Sequence, residues 1–138
     1  MIVKAEEKDI AAVAALAAAL WPHHSPGELE AEFAPLLGKK EAAVFLQLEG
    51  STPVGFAQCQ LRHDYLEGIY VAPACRHRGF ARALLRACEN WAEEMGCTEF
   101  ASDCELTNSD SYAFHKSMGF AEANRIICFT KTLSDEER

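Results

Sequence analysis

The chain has 138 residues, of which 49% are hydrophobic and 25% charged, and its net charge is −8 at pH 7. This length and composition predict a single globular domain over residues 1–138, and the acidic charge argues against nucleic acid or an anionic membrane as a partner. The first residues lack the pattern of a secretory signal, and the longest apolar run is too short to span a bilayer, so we expect a cytoplasmic protein.

The six cysteines show neither a CxxC pair nor the spacing of metal ligands. Most of them stand in apolar or helical contexts, where a thiol packs as a small hydrophobic side chain. We therefore expect reduced core cysteines and no metal site. His23 and His24 follow Trp21 closely, but no further ligand stands at a suitable spacing, so we interpret them as loop residues.

The first half of the chain predicts one strand, two helices and three more strands. Asp9 is a suitable N-cap for the first helix, and Ser25 with Pro26 and Glu28 forms the pattern of a capping box for the second, which should end near Gly38. Alternating or continuous apolar residues bounded by turn residues predict the strands. These strands are Ile2–Ala5, Ala42–Glu49, Val54–Leu61 and Leu66–Val71.

The second half predicts two further helices, Gly79–Met95 and Ser109–Met118, each followed by a glycine. The resulting order is β-α-α-β-β-β-α-β-α-β-β, an α/β fold with a mixed central sheet and helices on both faces. The last residues, 133–138, are expected to form a solvated tail. The remaining predicted strands are Thr98–Asp103, Phe120–Ala123 and Ile126–Thr132.

The connection between the third and fourth strands is unusual, because no glycine, proline or asparagine stands at the turn. Only Arg62, His63 and Asp64 are available for it. Two explanations remain open. Either the hairpin is very tight, or residues that normally fill this connection are missing from the chain.

A basic turn joins the fourth strand to the long helix that follows. A helix N-terminus leaves backbone N–H groups without internal partners and carries the positive end of the helix dipole. Arginines can add charge-assisted hydrogen bonds, and small residues let an anion approach the backbone. The turn therefore predicts a phosphate site, although a plain junction with solvated arginines also fits these six residues alone. They are Arg76, His77, Arg78, Gly79, Phe80 and Ala81, in the pattern R-x-x-G-x-A.

In its wider context, this turn resembles the acetyl-CoA site of the GNAT superfamily of N-acetyltransferases. The strand ends in Val71-Ala72-Pro73, the turn fits [QR]-x-x-G-x-[GA], and a later helix ends in Gly119-Phe120. The predicted order of elements resembles that fold over nearly the whole chain. The resemblance implies an acyltransferase with acetyl-CoA as its cosubstrate.

A closer resemblance is to the aminoglycoside 6′-N-acetyltransferases within that superfamily. The matching sequence motifs extend from the first helix to the final third of the chain. The resemblance implies transfer of an acetyl group to the 6′-amine of an aminoglycoside. The resemblance also implies a homodimer with the C-terminal strands near its interface. The motifs are LWP at 20–22, RHDY at 62–65, LEGIYV at 66–71, ASD at 101–103, and Asn108.

The resemblance implies roles for individual residues. Glu67 is expected to bind the ammonium group of the acceptor and to accept its proton. His115 stands where many members of the superfamily have a tyrosine thought to protonate the leaving thiolate, so its role as general acid is open, and Tyr112 is a less favoured substitute. Acceptor contacts are expected from Trp21, His24, Tyr65, Glu67 and Asp103. Cofactor contacts are expected from the backbone of Ile69, Tyr70 and Val71, from Arg76, His77, Arg78, Gly79, Phe80 and Ala81, and from Asn108 and His115.

Two alternatives to this function stay open. The first keeps the chemistry but replaces the aminoglycoside with a polyamine, another small amine or a peptide amine, and the short connection at Arg62–Tyr65 favours it. The second is a non-catalytic module that binds acyl-CoA and senses it. Substitution of Glu67 and Asp103 would separate catalysis from binding alone.

Overall fold

Four antiparallel strands form the sheet of this protein, for which we have a computed structural model that describes residues 1–61 and 65–133. The predicted turn at Arg62, His63 and Asp64 lies outside the described residues. The strands adjoin one another in chain order, so each pairs with the next by antiparallel hydrogen bonds. They are β1 (Ile2–Lys4), β2 (Ala42–Glu49), β3 (Thr52–Gln60) and β4 (Tyr65–Val71).

Helices α1 (Ile10–Leu20) and α2 (Pro26–Phe33) follow β1, and their N-termini differ from each other. The predicted cap at Ser25 is confirmed, since its Oγ accepts a hydrogen bond from the Glu28 backbone at 3.2 Å. Asp9 is the N-cap residue of α1, as predicted, but its side chain makes no cap hydrogen bond to that helix. Its carboxylate instead accepts from the Glu6 N–H at 2.9 Å and closes the 3-10 turn that precedes α1.

Helices pack on both faces of the sheet, as predicted. Phe56 of β3 is fully buried with Phe33 of α2 and Val13 of α1 on one face. On the opposite face, Gly55 of β3 lies against Leu84 of α3 (Phe80–Glu94). The sheet is therefore an interior layer, and burial of its apolar side chains on both faces stabilises it. No helix in residues 1–61 and 65–133 has the length and apolar character that crossing a bilayer requires.

The predicted strand at 98–103 is not formed. This segment meets β4 only at its start, where Leu66 donates a backbone hydrogen bond to Ala101 at 2.9 Å and Tyr65 forms a single parallel bridge with Ala101. A ladder needs consecutive pairs, and one bridge does not continue. The described sheet is therefore antiparallel, and the predicted mixed sheet is reduced to this one parallel contact.

The part of the chain from Cys104 onward is a second compact unit, described here by itself. It contains α4 (Ser109–Ser117), and Gly119 follows with a φ of 94°, a left-handed conformation that suits glycine after a helix. The predicted strands over 120–123 and 126–132 are absent from the described residues. Their apolar pattern suits a strand, but the pattern alone does not form one, because a strand needs a hydrogen-bonded neighbour.

Candidate active site

A bulge in β4 carries Glu67. In the ladder between β3 and β4, Gln58 pairs with Gly68 and Cys59 pairs with Leu66, so Glu67 is one extra residue on β4. A bulge breaks the regular alternation of side chains and aims one of them in a new direction. Here the carboxylate of Glu67 reaches the sheet face that α1 and α2 cover, where it lines a cavity.

The indole of Trp21 forms a fixed wall of this cavity. It stacks on Phe33 with ring centroids 6.4 Å apart and meets Phe56 edge-on at 6.1 Å. Its outer edge lies against the backbone of Gly68, where an added Cβ would stand only 2.8 Å from the ring. Two aromatic rings and a glycine therefore hold the indole beside the bulge.

The cavity has a volume of about 320 Å³ and opens to solvent at the surface. Two of its described lining residues are carboxylates and two are amides, while none is cationic. An acidic, partly apolar cavity of this kind suits a cationic ligand with a flat ring. The described residues that line it are Trp21, Glu32, Leu36, Gln58, Gln60 and Glu67.

The structure brings two other predicted acceptor residues together. The hydroxyl of Tyr65, the first residue of β4, donates a hydrogen bond to Oδ2 of Asp103. Their order along the chain does not reveal this contact, because 38 residues separate them. It places a carboxylate at the start of the strand that carries Glu67 two residues later.

His24 has a different set of contacts. Its Nδ1 lies 3.4 Å from Oε2 of Glu28, four residues later at the start of α2, and both side chains are more than half exposed. Hydrogen bonds from His24 and then from Ser25 lower the pKa of Glu28 below its ordinary value of 4.5. His24 is not among the described residues that line the cavity, and its observed side-chain contact is with Glu28 in the first turn of α2.

The outer edge of β4 is available for a ligand. Ile69, Tyr70 and Val71 pair with β3 on one side, and β4 is the last strand of the described sheet. Beyond the contact with Ala101 near its start, no described strand pairs with its other side. An exposed edge of this kind can accept an extended ligand by backbone hydrogen bonds.

The basic turn after β4 has the geometry of an anion site. His77 and Gly79 have φ values of 62° and 83°, and Gly79 is the N-cap of α3 without a side-chain cap on the helix. A Cβ added at Gly79 would meet no atom within 4 Å, so space in front of the helix N-terminus is open. The backbone N–H groups of Phe80 and Ala81, at the start of α3, are therefore available to an anion.

The two arginines of this turn are held differently. Nε of Arg76 donates to the carbonyl of Val71 at 2.8 Å, and its guanidinium lies 5.5 Å from the ring centroid of Tyr70. Arg78 forms an ion pair with Glu49 and lies over the ring of Phe80. Arg76 is thus fixed to the end of β4, while the charge of Arg78 is shared with a carboxylate.

In the second unit, Asn108 caps α4 by accepting a hydrogen bond from the Ser111 N–H at 3.0 Å. Nδ1 of His115 lies 2.7 Å from the Ser111 carbonyl, so this nitrogen carries a proton. In the neutral ring Nε2 is then the acceptor, and His115 must be an imidazolium to donate from Nε2. Tyr112 donates its hydroxyl to Glu122 at 3.1 Å, and this bond raises the pKa of Tyr112.

Sequence reasoning missed Glu32, Leu36, Gln58 and Gln60 as cavity residues. Gln58 and Gln60 stand two apart on β3, which in a strand places both on one face, and an amide at an otherwise buried position was a signal of a polar site. Glu32 gave no such signal, because a glutamate on an amphipathic helix is ordinarily a solvated residue. In the described part of the chain, no group of three His, Cys, Asp or Glu side chains is placed to hold a metal ion.

A family model described as "Acetyltransferase (GNAT) family" matches residues 10–120. Among curated proteins, an aminoglycoside N(6')-acetyltransferase type 1 from Serratia marcescens is 38% identical over 146 residues, covering 96% of this chain and 99% of that protein. A protein of the same name from Stenotrophomonas maltophilia is 39% identical, covering 96% and 93%. The alignment with the Serratia protein is longer than this chain, so this chain lacks residues that the relative has.

Solved structures agree with these similarities. AAC(6')-Iy in complex with the bisubstrate analogue CoA-S-monomethyl-acetylneamine superposes with a TM-score of 0.90 at 30% identity, covering 96% of this chain and 98% of that one. The aminoglycoside 6'-N-acetyltransferase AAC(6')-IG from Acinetobacter haemolyticus has a TM-score of 0.88 at 33% identity, covering 97% and 99%.

Proposed function

Since the chain belongs to the GNAT family of acetyltransferases, we propose that it transfers the acetyl group of acetyl-CoA to the 6′-amine of an aminoglycoside. The observation that carries this proposal is the acidic cavity beside the bulge, where Glu67 and the Trp21 ring line one space. Its charge and shape suit a cationic sugar. The names of the curated relatives, and the bisubstrate complex of AAC(6')-Iy, support the same pair of substrates.

The residues near the end of β4 fit coenzyme A. The backbone edge of Ile69–Val71 suits the pantetheine arm, and the open N-terminus of α3 with Arg76 and Arg78 suits a pyrophosphate. Bound acetyl-CoA supplies the thioester that the acceptor amine attacks. The positive φ at Gly79 and the space in front of it support the predicted close approach of phosphate to the backbone. We also propose that His77 and Asn108 contact coenzyme A, as the resemblance implies.

Glu67 is proposed to bind the acceptor's ammonium group and to accept its proton before or during attack. An alkylamine is mostly protonated at neutral pH, and only the neutral amine is a nucleophile. The Tyr65–Asp103 pair, held at the start of the same strand, is proposed as a second anionic contact for the acceptor. Trp21 would then cover the face of a sugar ring. The predicted acceptor contact of His24 is kept in the proposal, although its observed partner is Glu28.

His115 is proposed as the group that donates a proton to the leaving thiolate of coenzyme A. Its Nδ1 proton is engaged by the Ser111 carbonyl, so proton donation requires a second proton on Nε2. A neutral ring with this tautomer would accept rather than donate at Nε2.

One observation favours a second candidate acceptor. This chain lacks residues that the Serratia relative has, and in its sequence only residues 61–64 separate β3 from β4. Residues missing from this connection, next to Tyr65, would admit a more slender or a longer substrate. Acetylation of a polyamine such as spermidine is the second candidate.

A single domain over residues 1–138, a cytoplasmic location and a homodimer complete the proposal. The family model spans residues 10–120, which supports one acetyltransferase domain. The dimer is supported by large apolar side chains that the C-terminal segment exposes, since a soluble monomer rarely keeps such a group uncovered. They are Ile126, Ile127, Phe129 and Leu133, each at least 75% exposed.

The test is release of free CoA thiol from acetyl-CoA with kanamycin, tobramycin, spermidine and a short peptide as separate acceptors. Turnover with the two aminoglycosides is expected. Turnover with spermidine or the peptide alone would keep the chemistry and overturn the aminoglycoside assignment. No turnover with any acceptor, together with tight acetyl-CoA binding, would favour the non-catalytic sensing module.

A further inference from the structure

The acceptor cavity holds more recognition groups than proton transfer requires. Glu67 and Glu32 come from different elements, the bulge of β4 and the end of α2, yet both line the same space. The described lining contains no lysine or arginine. Two carboxylates around one open cavity suit a ligand with more than one positive charge.

Gln58 gives an independent indication of a ligand. It is only 8% exposed, it lines the cavity, and its side chain makes no hydrogen bond within the described part of the chain. Among the described residues, every fully enclosed side-chain nitrogen or oxygen has a hydrogen-bond partner, so the amide of Gln58 is open to the cavity. It can therefore bond to the hydroxyl and amine groups that an acceptor would bring.

We propose that Glu32 and Gln58 form a second recognition point for the acceptor, which binds an ammonium group other than the one that is acetylated. This inference rests on the proposed function and names residues that determine its specificity. Glu32 supplies the charge, and the carbonyl of Gln58 accepts from the same ammonium or from a neighbouring hydroxyl. Acceptors with several amines are then favoured over those with one.

The space beside Glu32 supports an acceptor larger than one ring. A second depression of about 200 Å³ shares Leu36 and Gln60 with the first, so the two are contiguous. Its described lining adds Lys39, Glu41 and Ala42. A two-ring acceptor held at Glu67 can therefore extend past Leu36 and Gln60.

The experiment compares Glu32→Gln with the wild type on two acceptors. Neamine carries several amines on two rings, whereas methyl 6-amino-6-deoxyglucoside carries only the amine to be acetylated. We expect the KM for neamine to rise about fivefold, the effect of losing one partly exposed ion pair, with kcat and acetyl-CoA affinity nearly unchanged. The kcat/KM for the monoamine should not change.

Glu30→Gln is the matched control, because it removes the same charge from the same helix at a residue outside the described cavity lining. It should leave both acceptors unaffected. Gln58→Met, which keeps the length of the side chain without its amide, should also raise the KM for neamine. Equal KM values for neamine in Glu32→Gln and Glu30→Gln would overturn the second recognition point while wild-type turnover upholds the proposed function. No wild-type turnover with either acceptor would overturn both.

Discussion

The phenol of Tyr65 donates a hydrogen bond to Asp103, which joins the first residue of β4 to the segment that follows Ala101. The backbone of Leu66 reinforces the same junction through its hydrogen bond to the Ala101 carbonyl. Two residues that the sequence implied separately as acceptor contacts are therefore one hydrogen-bonded unit. This unit orients a carboxylate at the start of β4, the strand that carries Glu67.

The Tyr65–Asp103 unit predicts coupled effects on acceptor binding. Tyr65→Phe removes the hydrogen bond but keeps the ring, and Asp103→Asn removes the charge. We expect each single change to lower kcat/KM for neamine, and the double change to cost less than the sum by about 1 kcal/mol of coupling. A double-mutant cycle measures this energy, and strictly additive effects would show that the two side chains act independently.

Glu67→Gln tests the proposed base. The amide keeps the size of the side chain but accepts no proton, so kcat/KM for an aminoglycoside should fall about 100-fold, the usual contribution of a general base. Acetyl-CoA affinity should stay unchanged, as measured by calorimetry. Glu93→Gln, an exposed residue of α3, is the control for loss of one charge. Wild-type rates in Glu67→Gln would exclude the base role.

Gly68→Ala tests the contact between the bulge and the indole. The added methyl would stand 2.8 Å from Trp21, which Phe33 and Phe56 hold in place. We expect a loss of about 1–3 kcal/mol in the free energy of unfolding, together with weaker acceptor binding, because the cavity wall must move. Gly38→Ala, where an added Cβ meets nothing within 4 Å, should be nearly neutral in urea denaturation. Equal stabilities of the two variants would contradict the packing.

The ion pair between Arg78 and Glu49 predicts opposite effects on coenzyme A binding. Arg78→Gln removes a charge from the proposed pyrophosphate site and should weaken CoA. Glu49→Gln removes the carboxylate that competes with phosphate for this arginine, so it should tighten CoA by about two- to fivefold at low salt. Calorimetric titration with CoA measures both. Weaker binding in Glu49→Gln would mean that the carboxylate positions Arg78 instead of competing for it.

The contact between His24 and Glu28 predicts a dependence of stability on pH. A carboxyl group whose pKa is lowered by folding contributes stability above its unfolded pKa, and this contribution is lost as pH falls through the folded pKa. His24→Ala removes the largest cause of lowering, so the pKa of Glu28 should rise toward 4.5 and less stability should be lost on acidification. An NMR titration of the Glu28 carboxyl, with His23→Ala as control, checks this. An unchanged pKa would contradict the contact.

Local sequence patterns predicted the helix ends and the hairpin pairing of this fold, because both depend on nearby residues. The Ser25 cap, the helix ends at Gly96 and Gly119, and the antiparallel β2–β4 ladder all follow from residues close together in the chain. The segments at 98–103 and 120–132 have the apolar pattern of strands, but no β-ladder is formed over them in the described residues. Strand pairing depends on backbone groups that are far apart in the sequence, so a local pattern cannot predict it.

The sequence likewise predicted some residues of the candidate site and missed others. The resemblance named Glu67, Trp21, Tyr65 and Asp103, and the structure places Glu67 and Trp21 in one cavity. It did not indicate the bulge, which arises from a register shift between β3 and β4. Glu32 also escaped notice, because only the packing of α2 beside the sheet reveals that its carboxylate shares a cavity with Glu67.

The central claim is acetylation of a 6′-amine, and the most direct test compares two acceptors that differ only at that position. Neamine has an amine at the 6′ carbon, and paromamine has a hydroxyl there. We predict CoA release with neamine, a product acetylated at the 6′ nitrogen by NMR, and no CoA release with paromamine. Equal turnover of the two acceptors, or a product acetylated at another nitrogen, would contradict the account.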